Sequence, residues 1–343
     1  MPHTPNTPNT LKGTVPVRTE EPQATSRAGA DATAHATTHD VTVDAPADTV
    51  YALLADATAW PLRFPPNIHV ERTASGDGWE RLRMWATANG EVKSWTSRRD
   101  LDPAARRIVF RQEASAPPVA SMRGEWVVEP AGAAACTLTL LHEFSAVDDD
   151  PAGIQWIHEA TDRNSRAELA NVKALAEQAD RNDELTFTFT DEVEINGPAE
   201  QVYTFLARAE EWPRRLPHVS RLDLREDVPG VQLMAMDTRT GDGSTHTTES
   251  VRVCFPESRI VYKQTVVPAL MSAHTGEWSL RSEGTKVRAV SRHTVTLKED
   301  AITSVLGPEA TVASARSFIR RALGGNSTAT LALAKQFAEA GGE

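Results

Sequence analysis

The chain has 343 residues, 40% of them hydrophobic and 24% charged, with eight tryptophans, which is apolar material enough for two packed domains. Its formal net charge of -11 disfavours a nucleic acid or an anionic membrane surface as the main partner. Cys136 and Cys254 lie in different halves, without the ligand spacing of a zinc site or the pairing of a disulfide framework, so no metal is expected.

Residues 1–38 are mostly Pro, Thr, Ala and Asn with few aliphatic side chains. Such a stretch cannot bury enough surface to offset its ordering entropy, and a disordered tail is expected there. No apolar run is long enough for a signal peptide or a membrane span, so the expectation is a soluble, cytoplasmic protein. VTVDAPADTVYALLADATAWP, from Val41 to Pro61, predicts a short strand and then a helix with Pro46 near its start and Val50, Leu53 and Leu54 on one face. His69 to Thr73 and Glu80 to Ala88 read as strands, and Asn89-Gly90 is the strongest hairpin signal in the chain. On the strand that follows, side-chain alternation puts Trp95, Ser97 and Arg99 on one face and Ser94, Thr96 and Arg98 on the other. Ile108 to Gln112, Met122 to Val128 and Cys136 to Phe144 complete a run of six or seven antiparallel strands. Asp162 to Asp180, free of Pro and Gly and apolar at helical spacing, predicts a long amphipathic helix after them.

The second half then repeats the first. VEINGPAEQVYTFLARAEEWP returns the opening motif without a gap, with Trp212 standing 152 residues after Trp60. Gly124-Glu125-Trp126 returns as Gly276-Glu277-Trp278, RIVFRQ at Arg107 as RIVYKQ at Arg259, and Asn164-Ser165 with its helix as Asn326-Ser327. Self-similarity over the whole length means two copies of one domain, expected over 39–181 and 185–343. Arg252 takes the place of Arg99, whereas Trp95 becomes Thr248. An added stretch, Ala301 to Gly325, mixes helix and Gly signals; it either caps the second cavity or joins the domains.

Strand, short helices, an antiparallel meander and a long closing helix describe an α+β fold in which a curved sheet grips one helix. WP after the first helix, ANG before the hairpin and W-x-S-x-R on its second strand resemble the aromatase/cyclases of bacterial type II polyketide synthases. The duplication is similar to the di-domain members of that family. The resemblance spans Val41 to Ala340 and implies two tandem helix-grip, START-like domains, each closing a cavity under its long helix. It implies an enzyme of antibiotic biosynthesis that promotes regiospecific first-ring aldol closure and dehydration of a poly-β-ketone, ketoreduced and borne on an acyl carrier protein. Other synthase components would be partners, and no cofactor is implied. The family's pocket arginine falls on Arg99 and its tryptophans on Trp60 and Trp95. Its pocket tyrosine is unmatched, because Asn67 stands there. In the second copy Trp212 and Arg252 match, Thr248 departs from tryptophan, and His218 is new.

The side chains fit that chemistry by their own properties. Arginine stays charged near neutrality, so Arg99 and Arg252 are candidate catalytic donors to a developing enolate or alkoxide oxygen. Trp60, Trp95, Ser97, Asn67, Trp212, His218 and Thr248 are candidate substrate-binding residues. Trp60 and Trp212 equally suit a role as core anchors, and His142 and His293, at equivalent strand positions, are candidate proton carriers or ordinary strand residues. Asp237 suits a surface position better than that of a base. The aromatic walls that the first copy retains favour it as the seat of ring closure. A non-catalytic carrier of small hydrophobic molecules on the same fold is the alternative reading, and an interaction protein with vestigial cavities is a third. No GxSxG, Walker, GxGxxG or HExxH motif is present, so hydrolase, nucleotide-dependent and metalloprotease chemistries have no support.

Overall fold

The computed structural model describes residues 33–88, 90–239 and 245–341. Residues 1–32 and Asn89 lie outside the described residues, and with them most of the expected tail and half of the Asn-Gly turn. The first half runs through β1 (His35–Val43), α1 (Ala47–Ala55), α2 (Trp60–Arg63), β2 (Asn67–Gly76), β3 (Trp79–Ala88), β4 (Glu91–Asp102), β5 (Arg107–Gln112), β6 (Val119–Pro130), β7 (Cys136–Ala146) and α3 (Pro151–Glu177). After α4 (Ala179–Leu185) come β8 (Thr186–Ile195), α5 (Ala199–Ala207), α6 (Trp212–Arg215), β9 (Val219–Val228), β10 (Val231–Arg239), β11 (Thr245–Phe255), β12 (Arg259–Val266), β13 (Met271–Glu283), β14 (Lys286–Leu297), α7 (Ile302–Leu306) and α8 (Val312–Glu339). The strands form two seven-stranded antiparallel sheets in the orders β1-β7-β6-β5-β4-β3-β2 and β8-β14-β13-β12-β11-β10-β9. Each opening strand thus closes against the last, and each sheet curls around its own long helix. This is the tandem helix-grip architecture.

Each long helix buries one stripe in its sheet: Leu169, Val172 and Ala176 on α3, Leu331, Ala334 and Ala338 on α8. These stripes meet Val43, Leu138 and Trp126 in the first core and Ile195, Ala289 and Trp278 in the second. The repeated Gly-Glu-Trp has a steric cause. A Cβ on Gly124 would stand 2.3 Å from the Phe110 ring, and one on Gly276 would stand 2.1 Å from the Tyr262 ring. Each glycine leaves room for an aromatic side chain to lie across the inner face of the sheet.

Three boundaries differ from expectation. Strand β1 begins at His35, inside the stretch assigned to the tail, because His35 to Thr38 pair in register with Phe144 to Leu141. Helix α3 begins at Pro151 rather than Asp162: proline is tolerated in the first turn, and the Asp150 carboxylate caps it by accepting from the Gly153 N–H at 2.8 Å. In the second copy Gly324 and Gly325 lie inside α8, which starts at Val312 with a Thr311–Ser314 capping box. The added segment packs Ile302 against Leu185, Met271 and Ile319, and Arg181 of α4 pairs with Glu299, so it ties the junction helix to the second domain.

The two sheets meet through the outer face of the second. Ile68 and Trp85 of the first domain pack with Val231, Val251, Val253 and Val261, His69 and Phe255 bring their rings to 5.9 Å, and Glu71 pairs with Arg259.

Candidate functional site

Arg99 lies on the inner face of β4, where strand alternation places it with Ser97 and Trp95. Its side chain is nearly buried, at 2% exposure, and turns toward the C-terminus of α1. Nη2 donates to the carbonyls of Leu54 at 2.8 Å and Ala55 at 3.3 Å, which helix geometry leaves without intrahelical partners. The negative end of the helix dipole favours a cation at that position. Trp60 lies 5.0 Å beneath the guanidinium, and its indole N–H donates to the Leu53 carbonyl at 3.3 Å. Trp60 and Trp95 also meet through Ala57, Leu82 and Met84. The structure therefore gathers Trp60, Trp95 and Arg99 into one cluster. Glu80 Oε1 stands 3.5 Å from Arg99 Nε, while Glu80 Oε2 accepts from Arg72 at 2.6 Å. Burial lowers the Arg99 pKa to about 10, opposed by Glu80, so the group remains cationic near neutrality. Among the described residues its Nε and Nη1 have no acceptor within hydrogen-bond geometry.

The second copy repeats this arrangement. Arg252, 1% exposed, donates from Nη2 to the Leu206 carbonyl and stands 4.9 Å over the Trp212 ring. The Trp212 N–H reaches the Phe205 carbonyl at 3.3 Å. The countercharge is what differs. Glu80 pairs in register with Arg99, and the residue in register with Arg252 is Gln232, whose amide donates to the Ala207 carbonyl at 3.1 Å and to Glu226 at 2.8 Å. Arg252 is thus a buried cation with no carboxylate in salt-bridge range among the described residues and with Nε and Nη1 unbonded. Burial lowers its pKa.

Beside Arg252 the second copy holds a polar chain that the first lacks. Tyr262, in register with Arg252, brings its hydroxyl to 3.2 Å from His293 Nδ1. His274 Nε2 lies 3.0 Å from the same Nδ1, and His274 Nδ1 lies 2.9 Å from Gln264 Oε1. His293 Nε2 faces Ser327 Oγ of α8 at 2.6 Å and Ser291 Oγ at 3.1 Å. Burial holds His293 down to about 4 and His274 to about 3, the latter pushed further by His293, so both imidazoles are neutral at pH 7. Burial also raises the Tyr262 phenol, which keeps its proton. In the first copy Phe110 replaces Tyr262 and Met122 replaces His274. There His142, lowered to about 4 mainly by burial, has among the described residues one side-chain hydrogen-bond contact, with Ser165 at 3.4 Å.

Other sequence candidates fall elsewhere. Ser97 spends its hydroxyl on the Arg111 carbonyl at 3.0 Å. Thr248 is buried on the inner face with Arg252. Asn67 is half-buried at the start of β2, and its carbonyl accepts from Lys263 of the second domain at 2.9 Å. His218 is half-buried on the loop after α6, where its carbonyl accepts from the Arg239 N–H at 2.9 Å and burial lowers its pKa. Asp237 lies on the outer face and accepts from Thr247 at 2.6 Å.

An open space of about 1460 Å³ forms a cleft between the domains, and neither Arg99 nor Arg252 lines it. Leu53, Arg63 and Pro65 form its first-domain wall, and Met234, Ser250 and Gln264 form part of the second. The second-domain wall also takes in Leu233, Val251 and Lys263 of the outer face, and of the polar chain only its end member Gln264 is among the lining residues. Each guanidinium is packed against a helix C-terminus and an indole.

Tyr262, His274, Gln264 and Glu80 escaped the sequence reading. The signal was the difference between the copies, RIVFRQ against RIVYKQ and Glu80 against Gln232, which becomes chemistry only when the strand register places those residues beside an arginine.

Residues 34–177 and 195–316 each match a family model described as polyketide cyclase / dehydrase and lipid transport. The chain is 46% identical over 298 residues, 87% of its length and 92% of the relative's, to the granaticin polyketide synthase bifunctional cyclase/dehydratase of Streptomyces violaceoruber. It is 44% identical over 297 residues, 84% of its length and 92% of the relative's, to the actinorhodin polyketide synthase bifunctional cyclase/dehydratase of Streptomyces coelicolor. Among solved structures it resembles the di-domain ARO/CYC BexL from the BE-7585A biosynthetic pathway, with a TM-score of 0.82 at 56% identity over 89% of this chain and 99% of that one. The di-domain ARO/CYC StfQ from the steffimycin pathway gives a TM-score of 0.80 at 36% identity over 88% and 98%.

Proposed function

The chain belongs to the polyketide cyclase/dehydrase family and is a two-domain cyclase/dehydratase, and we propose that its two copies divide those steps. The substrate in this reading is a ketoreduced poly-β-ketone on an acyl carrier protein, received from other synthase components in the cytoplasm. The first copy closes the first ring. Trp60 and Trp95 supply flat apolar walls, and Arg99, whose Nε faces Glu80, offers Nη1 to the oxygen on which charge develops as the carbon–carbon bond forms. Holding one carbon pair together while excluding the others is most of the task, because a 1,3-dicarbonyl is already reactive. One oxyanion donor is worth about 3 to 4 kcal/mol.

The second copy removes water from the closed ring. A β-hydroxy ketone loses a proton from its α-carbon, the enolate forms opposite Arg252, and the hydroxyl leaves with a proton. The Tyr262–His293–His274 chain can take up the first proton and deliver the second, so its protonation is unchanged when water departs. The observation that carries this division is the Arg252 guanidinium, buried without a carboxylate beside a proton-transferring chain. Such a cation is costly to bury, and an enolate oxygen is the partner it lacks. The relatives' description as bifunctional cyclase/dehydratases supports two steps on one chain.

The test adds the purified protein to a minimal synthase with its ketoreductase. Arg252→Ala should accumulate a cyclised, still hydroxylated ring, and Arg99→Ala should lower ring closure itself. Loss of closure in Arg252→Ala with closure intact in Arg99→Ala would reverse the assignment.

A further inference from the structure

Lys263 stands on the outer face of β12, 6% exposed, in the interface between the domains. Its three ammonium protons have three acceptors, all backbone carbonyls of the other domain: Phe64, Pro65 and Asn67, each at 2.9 Å. An ammonium has three donors and no acceptor, so the set is complete. Burial lowers the pKa of the group to about 8, and the carbonyl cage is what keeps a cation there at all.

The loop it holds connects α2 to β2 and carries part of the first copy's wall. The Phe64 ring meets Trp60 edge-on at 5.4 Å, and the Phe64 N–H donates to the Trp60 carbonyl at 2.7 Å. Pro65 and Pro66 have no N–H, so the loop has few internal hydrogen bonds of its own. The repeat supplies a control within one molecule. At the position of Lys263 the first copy has Arg111, which is exposed. The matching loop of the second copy keeps the equivalent internal bonds, Leu216 N–H to the Trp212 carbonyl at 2.7 Å and Val219 N–H to the Leu216 carbonyl at 3.0 Å, and among the described residues no lysine reaches it. The clamp is therefore a property of the join and not of the fold.

We infer that Lys263 is a positioning residue for the first copy: from the second domain it fixes, through three backbone carbonyls, the loop on which Phe64 sets the placement of Trp60. The first site is then complete only with the second domain in place. This rests on the reading of the Trp60–Arg99 cluster as a site, and the experiment separates the two.

Full-length protein labelled with 5-fluorotryptophan gives one fluorine resonance per indole, and Trp60→Phe identifies that of Trp60. Lys263→Met should displace the Trp60 resonance while leaving that of Trp278, in the second core, in place. Arg111→Met should move neither. If Lys263→Met fails to fold, Lys263→Gln, which keeps an amide donor, should give a smaller displacement in the same direction. An unmoved Trp60 resonance in either folded variant overturns the inference. With the reconstituted synthase, the displaced variant should lose about tenfold or more in correctly closed product, with partial recovery in Lys263→Gln. A displaced resonance with full ring closure leaves the positioning role standing and removes the first copy from ring closure.

Discussion

His274 and His293 stack at 5.2 Å with 22° between their planes, and Nε2 of the first faces Nδ1 of the second at 3.0 Å. One proton serves that contact. With Gln264 Oε1 accepting from His274 Nδ1–H, His274 Nε2 is an acceptor, His293 Nδ1 carries the proton, and His293 Nε2 must receive one from Ser327 or Ser291. The chain has a direction: a proton added at His274 Nε2 would set two N–H groups against each other, whereas one added at His293 Nε2 would meet serine hydroxyls that can turn to accept it.

That arrangement makes stability depend on pH. The folded state holds His69, His142 and His293 at about 4 and His274 at about 3, below the value of about 6.5 in an unfolded chain. The unfolded state therefore binds protons first as pH falls. The stability these neutral histidines provide is intact above about 6.5 and drains away toward 4, at up to about 1.4 kcal/mol per pH unit for each. Urea midpoints at neutral pH and at about pH 5 should differ clearly, and the difference should shrink in His274→Leu. Equal midpoints at the two pH values would show that these rings are free to protonate in the folded protein.

Tyr262→Phe installs what the first copy already has at Phe110. Folding should be preserved, since Phe110 occupies the same place over Gly124. Dehydrated product should fall by about 10²-fold while ring closure continues, the usual contribution of one positioned acid–base group. Equal loss of both products would mean that the phenol acts in binding and not in proton transfer.

Gly276→Ala forces the opposite choice. Its Cβ would lie 2.1 Å from the Tyr262 ring, so either the ring leaves the inner face or the sheet shifts, at a cost of about 1 to 3 kcal/mol. Combining it with Tyr262→Ala should recover most of the lost stability, read as the urea midpoint. Additive losses in the double variant would place the strain elsewhere.

The hairpin strands, the repeat and the two inward arginines were legible in the sequence because alternation and self-similarity are properties of the chain alone. Their partners were not. Glu80 and Gln232 come from strands whose role depends on register, and Lys263 acts across a domain interface that no periodicity encodes. The starts of β1 and α3 were hidden for a local reason: His35 to Thr38 lack large aliphatic residues yet form an edge pairing, and Pro151 and Gly153 look like breakers until Asp150 caps the turn.

The two arginines should also separate by stability. Replacing Arg252 with Met removes a buried guanidinium that has one carbonyl and an indole for company, and fills the space with an apolar chain of similar reach. Exchanges of that kind are often neutral or stabilising, so Arg252→Met should unfold at the same urea concentration as the parent protein or a higher one, while losing dehydrated product. Arg99→Met removes one of two cations from Glu80, whose side chain is 4% exposed, and leaves that carboxylate with Arg72 alone. A loss of about 1 to 3 kcal/mol is expected, the cost of a buried charged group that loses a partner, and Arg99→Met combined with Glu80→Gln, the pairing that the second copy carries at Gln232, should regain part of it. If Arg252→Met proves the more destabilised of the two, the guanidinium is a structural cap of α5, and the proposal that it waits for a substrate oxygen fails.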